Sequence, residues 1–318
     1  MTPITSKRYR IRATNFYRAR WDGSDPTSAQ ICAALKECAP KYVPGSFRVL
    51  KDALVHDQLT RGNNDCAAAI QAFVNPVTER GSTIRRKPKP PKVRSVLEKV
   101  FNELIAHLMK QGCFDEIAAV TMAYLLGTRP CEMRTVRMEG NLAHITGGKK
   151  QAKLKRGADR TLEITDPNVL SMISSVAAHL AACHRSDAAI RDRLRKECRT
   201  LWPRSKKHPT LKSFRHQLGA TLKASDGSAE CLAYVMGHQS TNSIGVYGNR
   251  RSGEGRKLYV APAKGADLSK IRKPAKAPLY GRERVVGDIQ VPGATRGSSW
   301  VDRMRGLPST ISPSESRG

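Results

Sequence analysis

The stretch HPTLKSFRHQLGATLKASDGSAECLAYVMGHQSTNSIGVYGN, residues 208–249, decides how this chain is read. Lys212 and Arg215 are three residues apart, so on a helix they share one face and aim two cationic heads at one point. Gly237-His238 follows at a predicted helix end, and Tyr247 comes nine residues after that histidine, between Gly245 and Gly248. Two cations, an imidazole and a phenol converging on one place suit a phosphodiester. The phenol can attack phosphorus while the cations hold the charge that develops on the non-bridging oxygens.

Upstream, GTRPCEMRTVR spans residues 127–137. Arg129 follows a glycine that ends a predicted helix, FDEIAAVTMAYLLG, which places its guanidinium at a helix junction. A planar guanidinium fork suits phosphate, and Glu132 is placed to orient it. Pro130 suits the first turn of another helix. Residues 141–164 read as two strands, NLAHIT and RTLEI, around a Lys-rich turn that carries Lys149 and Lys150 after Gly147-Gly148. Ser95 and Glu98 read as a capping box for the helix SVLEKVFNELIAHLMKQG. Helical patterns also cover residues 168–184 and about 186–199. After Gly248 the periodicity weakens, and much of 250–318 reads as a flexible basic tail, with SSWVDRMRGL (298–307) as a candidate short helix.

At the other end, residues 1–25 are basic with interleaved aromatics and read as an arm on DNA or as an irregular lead-in. Three helical segments follow between Ser28 and Phe73, separated by Gly and Pro. A Pro-, Arg- and Lys-rich stretch then reads as a linker. The expected organisation is a helical domain over 1–75, a basic linker over 76–94, a larger domain over 95–265 and a basic tail over 266–318.

Composition narrows the function classes. The 318 residues carry a formal net charge of +29, which calls for a polyanionic partner, nucleic acid before a membrane surface. No apolar run reaches membrane-spanning length and the N-terminal stretch lacks the apolar core of a signal peptide, so a cytoplasmic, nucleoid-associated protein is expected. The eight cysteines form no metal-ligand spacing and are expected to be reduced, mostly buried thiols. No phosphate-binding P-loop is present. Neither a metal nor another cofactor is expected.

Taken singly, each of these residues has an ordinary structural reading: a surface arginine, a capping histidine, a half-buried tyrosine. In this order and spacing, G-T-R-P-x-E, a strand-turn-strand bearing Lys, [HK]-x-x-R-H, and G-H with Tyr nine residues on resemble the tyrosine recombinase (phage integrase) family across residues 95–249. The resemblance implies a mainly α protein: a helical N-terminal DNA-binding domain, then a mostly helical α/β catalytic domain with a small β-hairpin or sheet. It implies that Arg129 and Arg215 bind the scissile phosphate, that His238 hydrogen-bonds it and that Tyr247 forms a 3′-phosphotyrosyl link. Lys149, or its neighbour Lys150, would protonate the leaving 5′-oxygen, with Glu132 in support.

Lys212 departs from the histidine most family members carry there. It resembles telomere resolvases and type IB topoisomerases, and a lysine is better suited to binding phosphate than to accepting a proton. The partners implied are double-stranded DNA with inverted-repeat core sites, a second copy of the chain on one site, a tetramer in the synapse, and an accessory DNA-binding protein setting direction. Topoisomerase or resolvase activity and a non-catalytic DNA-binding role are the alternatives. Tyr259 and Tyr280 compete for the nucleophile without the Gly-His spacing. His216 reads as structural, His208 as off the expected face, and Leu232, Tyr234 and Met236 as core.

Overall fold

The structure is a computed structural model that describes residues 1–21, 25–148 and 157–273. The chain divides into two compact units, Met1–Pro91 and Lys92 onward. The first is helical: α1 (Pro3–Arg18), α2 (Ser28–Cys38), α3 (Pro44–Thr60) and α4 (Asn64–Ala72). Where the sequence suggested an arm or irregular lead-in, α1 forms. Thr2 caps it, Pro3 occupies its first turn, and Ala13, Phe16 and Tyr17 recur at helical spacing on its buried side. Its charge masked that periodicity. Thr27 and Gln30 form a reciprocal capping box on α2. Phe16, Ile31, Leu35, Phe47, Leu50, Leu54 and Ile70 make the core. Residues 82–97, in the Pro-rich stretch and just beyond it, carry no helix or strand.

The second unit contains α5 (Glu98–Lys110), α6 (Phe114–Leu125), α7 (Pro167–Ala182), α8 (Asp187–Leu201), α9 (Leu211–Ala224) and α10 (Ala229–Val235). A four-stranded antiparallel sheet runs in the order β1 (Arg137–Glu139), β2 (Leu142–Ile145), β3 (Arg160–Ile164) and β4 (Val260–Pro262). In the β2–β3 pair, Ile145 faces Arg160 and Leu142 faces Glu163. β2 and β3 are the two strands expected. β1 and β4, three residues each, are too short to show a two-residue alternation.

Helix α6 is the centre of this unit. It packs on α7, α8 and α9, and Ile117–Ala123 and Leu125 are all buried. Phe101, Tyr124 and Phe214 form an aromatic cluster joining α5, α6 and α9, with the Phe101 and Tyr124 rings stacked at 4.2 Å. Gly127 ends α6 with φ +59°, as expected of a helix-terminating glycine.

Three local expectations are corrected. Helix α5 begins at Glu98 with Leu97, not Ser95, at its cap. Val96 is pinned in the core, its N–H donating to Gln217 Oε1 at 3.0 Å, so the chain stays extended until that residue is passed. No full helix follows Pro130. A single 3₁₀ turn forms over Met133–Thr135, because the Glu132 carboxylate folds back onto the Arg129 N–H at 3.0 Å. Residues beyond Gly248 are not loose as far as Lys273. Val260 and Ile271 are buried, and Arg272 exchanges backbone hydrogen bonds with Gln239 and Thr241. Residues 274–318, with the candidate helix at 298–307, lie outside the described residues.

All eight cysteines are free, but only Cys38, Cys113 and Cys198 are buried, and Cys131 is exposed. Among the described residues no helix is long and apolar enough to cross a membrane.

Phe214 is fully buried in the aromatic cluster one residue before Arg215. Phe214→Ala is expected to cost about 3–5 kcal/mol through lost burial and the cavity it leaves. Denaturant unfolding followed by far-UV dichroism checks this, and a cost below about 1 kcal/mol contradicts the packing described.

Candidate active site

Three segments of the second unit deliver the expected residues to one place. The turn after α6 carries Arg129 and Glu132, α9 carries Lys212 and Arg215, and the segment after α10 carries His238 and Tyr247. Helix α9 starts with a Thr210–Ser213 capping box and is buried from Ser213 to Leu222. Arg215 therefore rises from a helix with almost no freedom to shift.

The Arg215 guanidinium, 3% exposed, donates to the carbonyls of Gly127 and Met236. Its Nη2 lies 3.2 Å from His238 Nε2. A guanidinium only donates, so Nε2 must accept and the neutral ring carries its proton on Nδ1. That Nδ1 is buried and, among the described residues, has no partner. Burial first, then the charges of Arg215, Arg129 and Arg160, drive the His238 pKa down to about 2. His238 is thus a neutral hydrogen-bond donor at neutral pH.

Tyr247 lies beside both groups. The Arg215 guanidinium carbon is 5.1 Å from its ring centroid, and the rings of His238 and His216 are centred 4.9 and 4.8 Å away. Burial alone would raise the phenol pKa, but the positive charges of Arg215, Arg129 and Lys212 outweigh it and bring the value below the ordinary 10. Tyr247 ends the 3₁₀ turn Thr241–Val246, and Lys223 Nζ holds the carbonyls of Tyr247 and Gly248.

Glu132 is completely buried and serves four donors. Its Oε1 takes Arg129 Nη1 and the Gly148 N–H at 3.1 Å, and its Oε2 takes the Arg129 N–H and Arg160 Nη2 at 3.1 Å. Burial pushes its pKa up, but Arg160 and Arg129 overcome that and hold it at about 2. Arg129 also donates to the Gly237 carbonyl at 3.2 Å. Three guanidinium groups, Arg129, Arg160 and Arg215, therefore surround one carboxylate. Buried cations in excess of their counterions are costly unless an anion completes the site. Arg215 bears that cost as a pKa lowered to about 10, through burial and then repulsion from Arg129, and it stays charged at neutral pH.

Lys212 is exposed on α9, one turn before Arg215. Lys149 and Lys150 lie outside the described residues. His216 is buried, as expected, and its Nδ1 accepts the Gly248 N–H at 3.2 Å. Leu232 and Met236 are buried, and the Tyr234 hydroxyl accepts the Thr161 N–H at 3.1 Å. Tyr259 pairs its backbone with Thr165 and lines a separate cavity of about 180 Å³ with Tyr124 and Arg256. Tyr280 lies outside the described residues. Sequence reading missed Arg160 and Lys223: the first looks like a strand residue in RTLEI and the second like a surface charge on α9. Among the described residues no group of His, Cys, Asp and Glu could hold a metal ion.

No family sequence profile matches the chain, and no curated protein matches it in sequence. Solved structures do match in fold. A lambda integrase dimer bound to a COC′ core site aligns with a TM-score of 0.55 at 14% identity, over 81% of this chain and 74% of that one. The Tn1549 transposon integrase in complex with transposon right end DNA aligns with a TM-score of 0.51 at 13% identity, over 77% and 88%. A lambda integrase tetramer bound to a Holliday junction aligns at 0.50 and 13%, over 75% and 72%. The chain therefore has the mainly α fold of the tyrosine recombinases, the family its motifs resemble.

Two titrations follow. In a spectrophotometric tyrosine titration, the wild-type minus Tyr247→Phe difference should ionise below pH 10, and Arg215→Gln should move that ionisation upward because burial remains and its main counter-charge is gone. A difference that titrates at or above 10 in the wild type contradicts the field described. His216 is held neutral by burial and nearby cations, its pKa lowered from 6.5 to about 4. The unfolded chain takes up protons on His216 and His238 below about 6.5 and the folded chain does not, so their contribution is complete above that pH and is lost as pH falls through it. The melting temperature should drop between pH 7 and pH 5; a flat profile contradicts this.

Proposed function

We propose that the protein is a site-specific DNA recombinase of the integrase or resolvase type. The observation that carries this reading is the convergence of Arg129, Arg215 and His238 with the Tyr247 phenol in a buried, cation-rich site of one carboxylate. The Tyr247 oxygen attacks the scissile phosphorus and forms a 3′-phosphotyrosyl ester as the P–O5′ bond breaks. The leaving 5′-oxygen takes a proton from Lys149 or Lys150. Arg129, Arg215, Lys212 and His238 hold the non-bridging oxygens as their charge grows. A 5′-hydroxyl then attacks the phosphotyrosyl ester, expels the phenol and reseals a strand. One phosphodiester is exchanged for another ester of like energy, so the cycle balances without ATP.

In this reading the first unit, with its basic α1, grips double-stranded DNA along with the Pro-rich linker, and the second unit is catalytic. Inverted-repeat core sites would seat two copies, a synapse would hold four, and an accessory DNA-binding protein would set direction. In this reading the protein works on DNA in the cytoplasm, associated with the nucleoid. A second reading keeps the chemistry and changes the outcome: Lys212 favours a type IB topoisomerase or a hairpin-forming telomere resolvase.

Denaturing capture of DNA bound covalently to the tagged protein in its host tests the proposal. Wild-type protein should retain DNA at discrete sites, and Tyr247→Phe should retain none. Inverted repeats at those sites, and strand exchange between two copies of them, favour the recombinase over relaxation or hairpin ends. DNA binding without any covalent retention would leave only a non-catalytic DNA-binding role and refute the proposal.

A further inference from the structure

Arg160 opens β3, and its side chain is wholly inaccessible to solvent. It cannot touch a substrate. A guanidinium so placed is expensive to bury, and an apolar residue of similar volume would often serve stability as well or better. Its contacts show what the charge is for. On one side Nη2 donates to Glu132 Oε2 at 3.1 Å. On the other, Nη1 lies under Gly237: a methyl group there would sit 2.5 Å from Nη1 and 3.0 Å from the guanidinium carbon. Gly237 has φ +60°, which already favours glycine, so both the backbone and the arginine beneath it exclude a side chain.

Between these two supports lies Arg129. Its guanidinium is held by Glu132 Oε1 and by the Gly237 carbonyl at 3.2 Å. His238 is the next residue after Gly237. The Glu132 oxygens accept four hydrogen bonds, which fills the lone pairs of a carboxylate. Without Arg160 one of those bonds is lost, the carboxylate is free to turn toward Arg129, and the Gly237 turn loses the surface it rests on. Among the described residues, Arg160 Nε and Nη1 have no hydrogen-bond partners. The arginine therefore acts through one directed bond, its bulk and its charge.

We propose that Arg160 is a positioning residue of this site, fixing Arg129 and His238 relative to each other by holding Glu132 on one side and the Gly237–His238 turn on the other. The proposal rests on the strand-transfer reading, since it assumes that Arg129 and His238 meet a phosphodiester. Its consequence is charge-specific. Misplaced cations matter when the non-bridging oxygens are negative and matter much less when that charge has been removed.

The test uses the full chain and a nicked duplex carrying the DNA site recovered by covalent capture, so that the cleaved strand is lost and the adduct accumulates. The same duplex is also made with a methylphosphonate at the scissile position, which replaces one non-bridging oxygen with methyl and removes its charge. Arg160→Met should slow adduct formation by about 100-fold on the ordinary phosphodiester, with DNA affinity unchanged, and by less than about 10-fold on the methylphosphonate. Arg160→Lys should recover part of the rate on the phosphodiester.

If Arg160→Met alone fails to fold, Arg160→Met combined with Glu132→Gln removes the buried charge left behind, and the same ratio of the two substrates is read. Equal losses on the two substrates would mean that Arg160 only supports the fold, and an undiminished rate on the phosphodiester would mean that it does not matter; either overturns the proposal. Wild-type protein forming no adduct on either duplex overturns the strand-transfer reading and this inference with it.

Discussion

A buried carboxylate surrounded by guanidinium groups is the constraint on which the rest of the second unit depends. Glu132 is a single negative charge out of reach of water, and Arg129, Arg160 and the Gly148 N–H all converge on it. It joins the turn after α6, Gly148 beyond β2 and the first residue of β3. Burial first, and then the positive charge it leaves unmatched, lowers the pKa values of Arg215 and His238; at Tyr247 burial raises the value, and nearby positive charge brings it below the ordinary 10. A site built this way is stable enough to exist yet electrostatically incomplete, and an anion is the natural complement.

Helix α9 supplies the rigidity. It is buried along most of its length, presents Arg215 inward, and lies against the segment that carries Tyr247. Lys223, near its end, grips the carbonyls of Tyr247 and Gly248, and His216 receives the Gly248 N–H. One helix thus carries an arginine of the site and anchors the backbone of the tyrosine. The phenol, the arginine and the imidazole keep their relative positions through this shared support and through their own contacts, with Arg215 donating to His238 and lying beside the Tyr247 ring.

The sequence was informative where a rule of spacing applies. Lys212 and Arg215 on one helix face, Gly127 as a helix end, β2 and β3 as a strand pair, and Tyr247 after a short turn from Gly237-His238 all follow from local periodicity and turn chemistry. It was uninformative where a residue's meaning comes from a distant contact. Arg160 alternates correctly as a strand residue, and nothing in RTLEI shows that it meets a carboxylate from a turn 28 residues earlier. Lys223 has the spacing of a surface charge. Helix α1 was hidden because basic residues outnumber the apolar ones that bury it. β4 was hidden because its pairing with β3 depends on a chain segment a hundred residues away. Ser95 looked like a cap, but its neighbour Val96 was already committed to the core.

The most direct test of the account asks which atom joins protein to DNA. Adducts accumulated on a nicked site would be digested with nuclease and trypsin, and the nucleotide-bearing peptide located by fragmentation mass spectrometry. The peptide running from Ala224 to Arg250 contains both Tyr234 and Tyr247, so fragment ions separate the two. The account predicts a 3′-nucleotide on Tyr247 alone. A nucleotide on Tyr234, on Tyr259, or on a residue outside this peptide would contradict it.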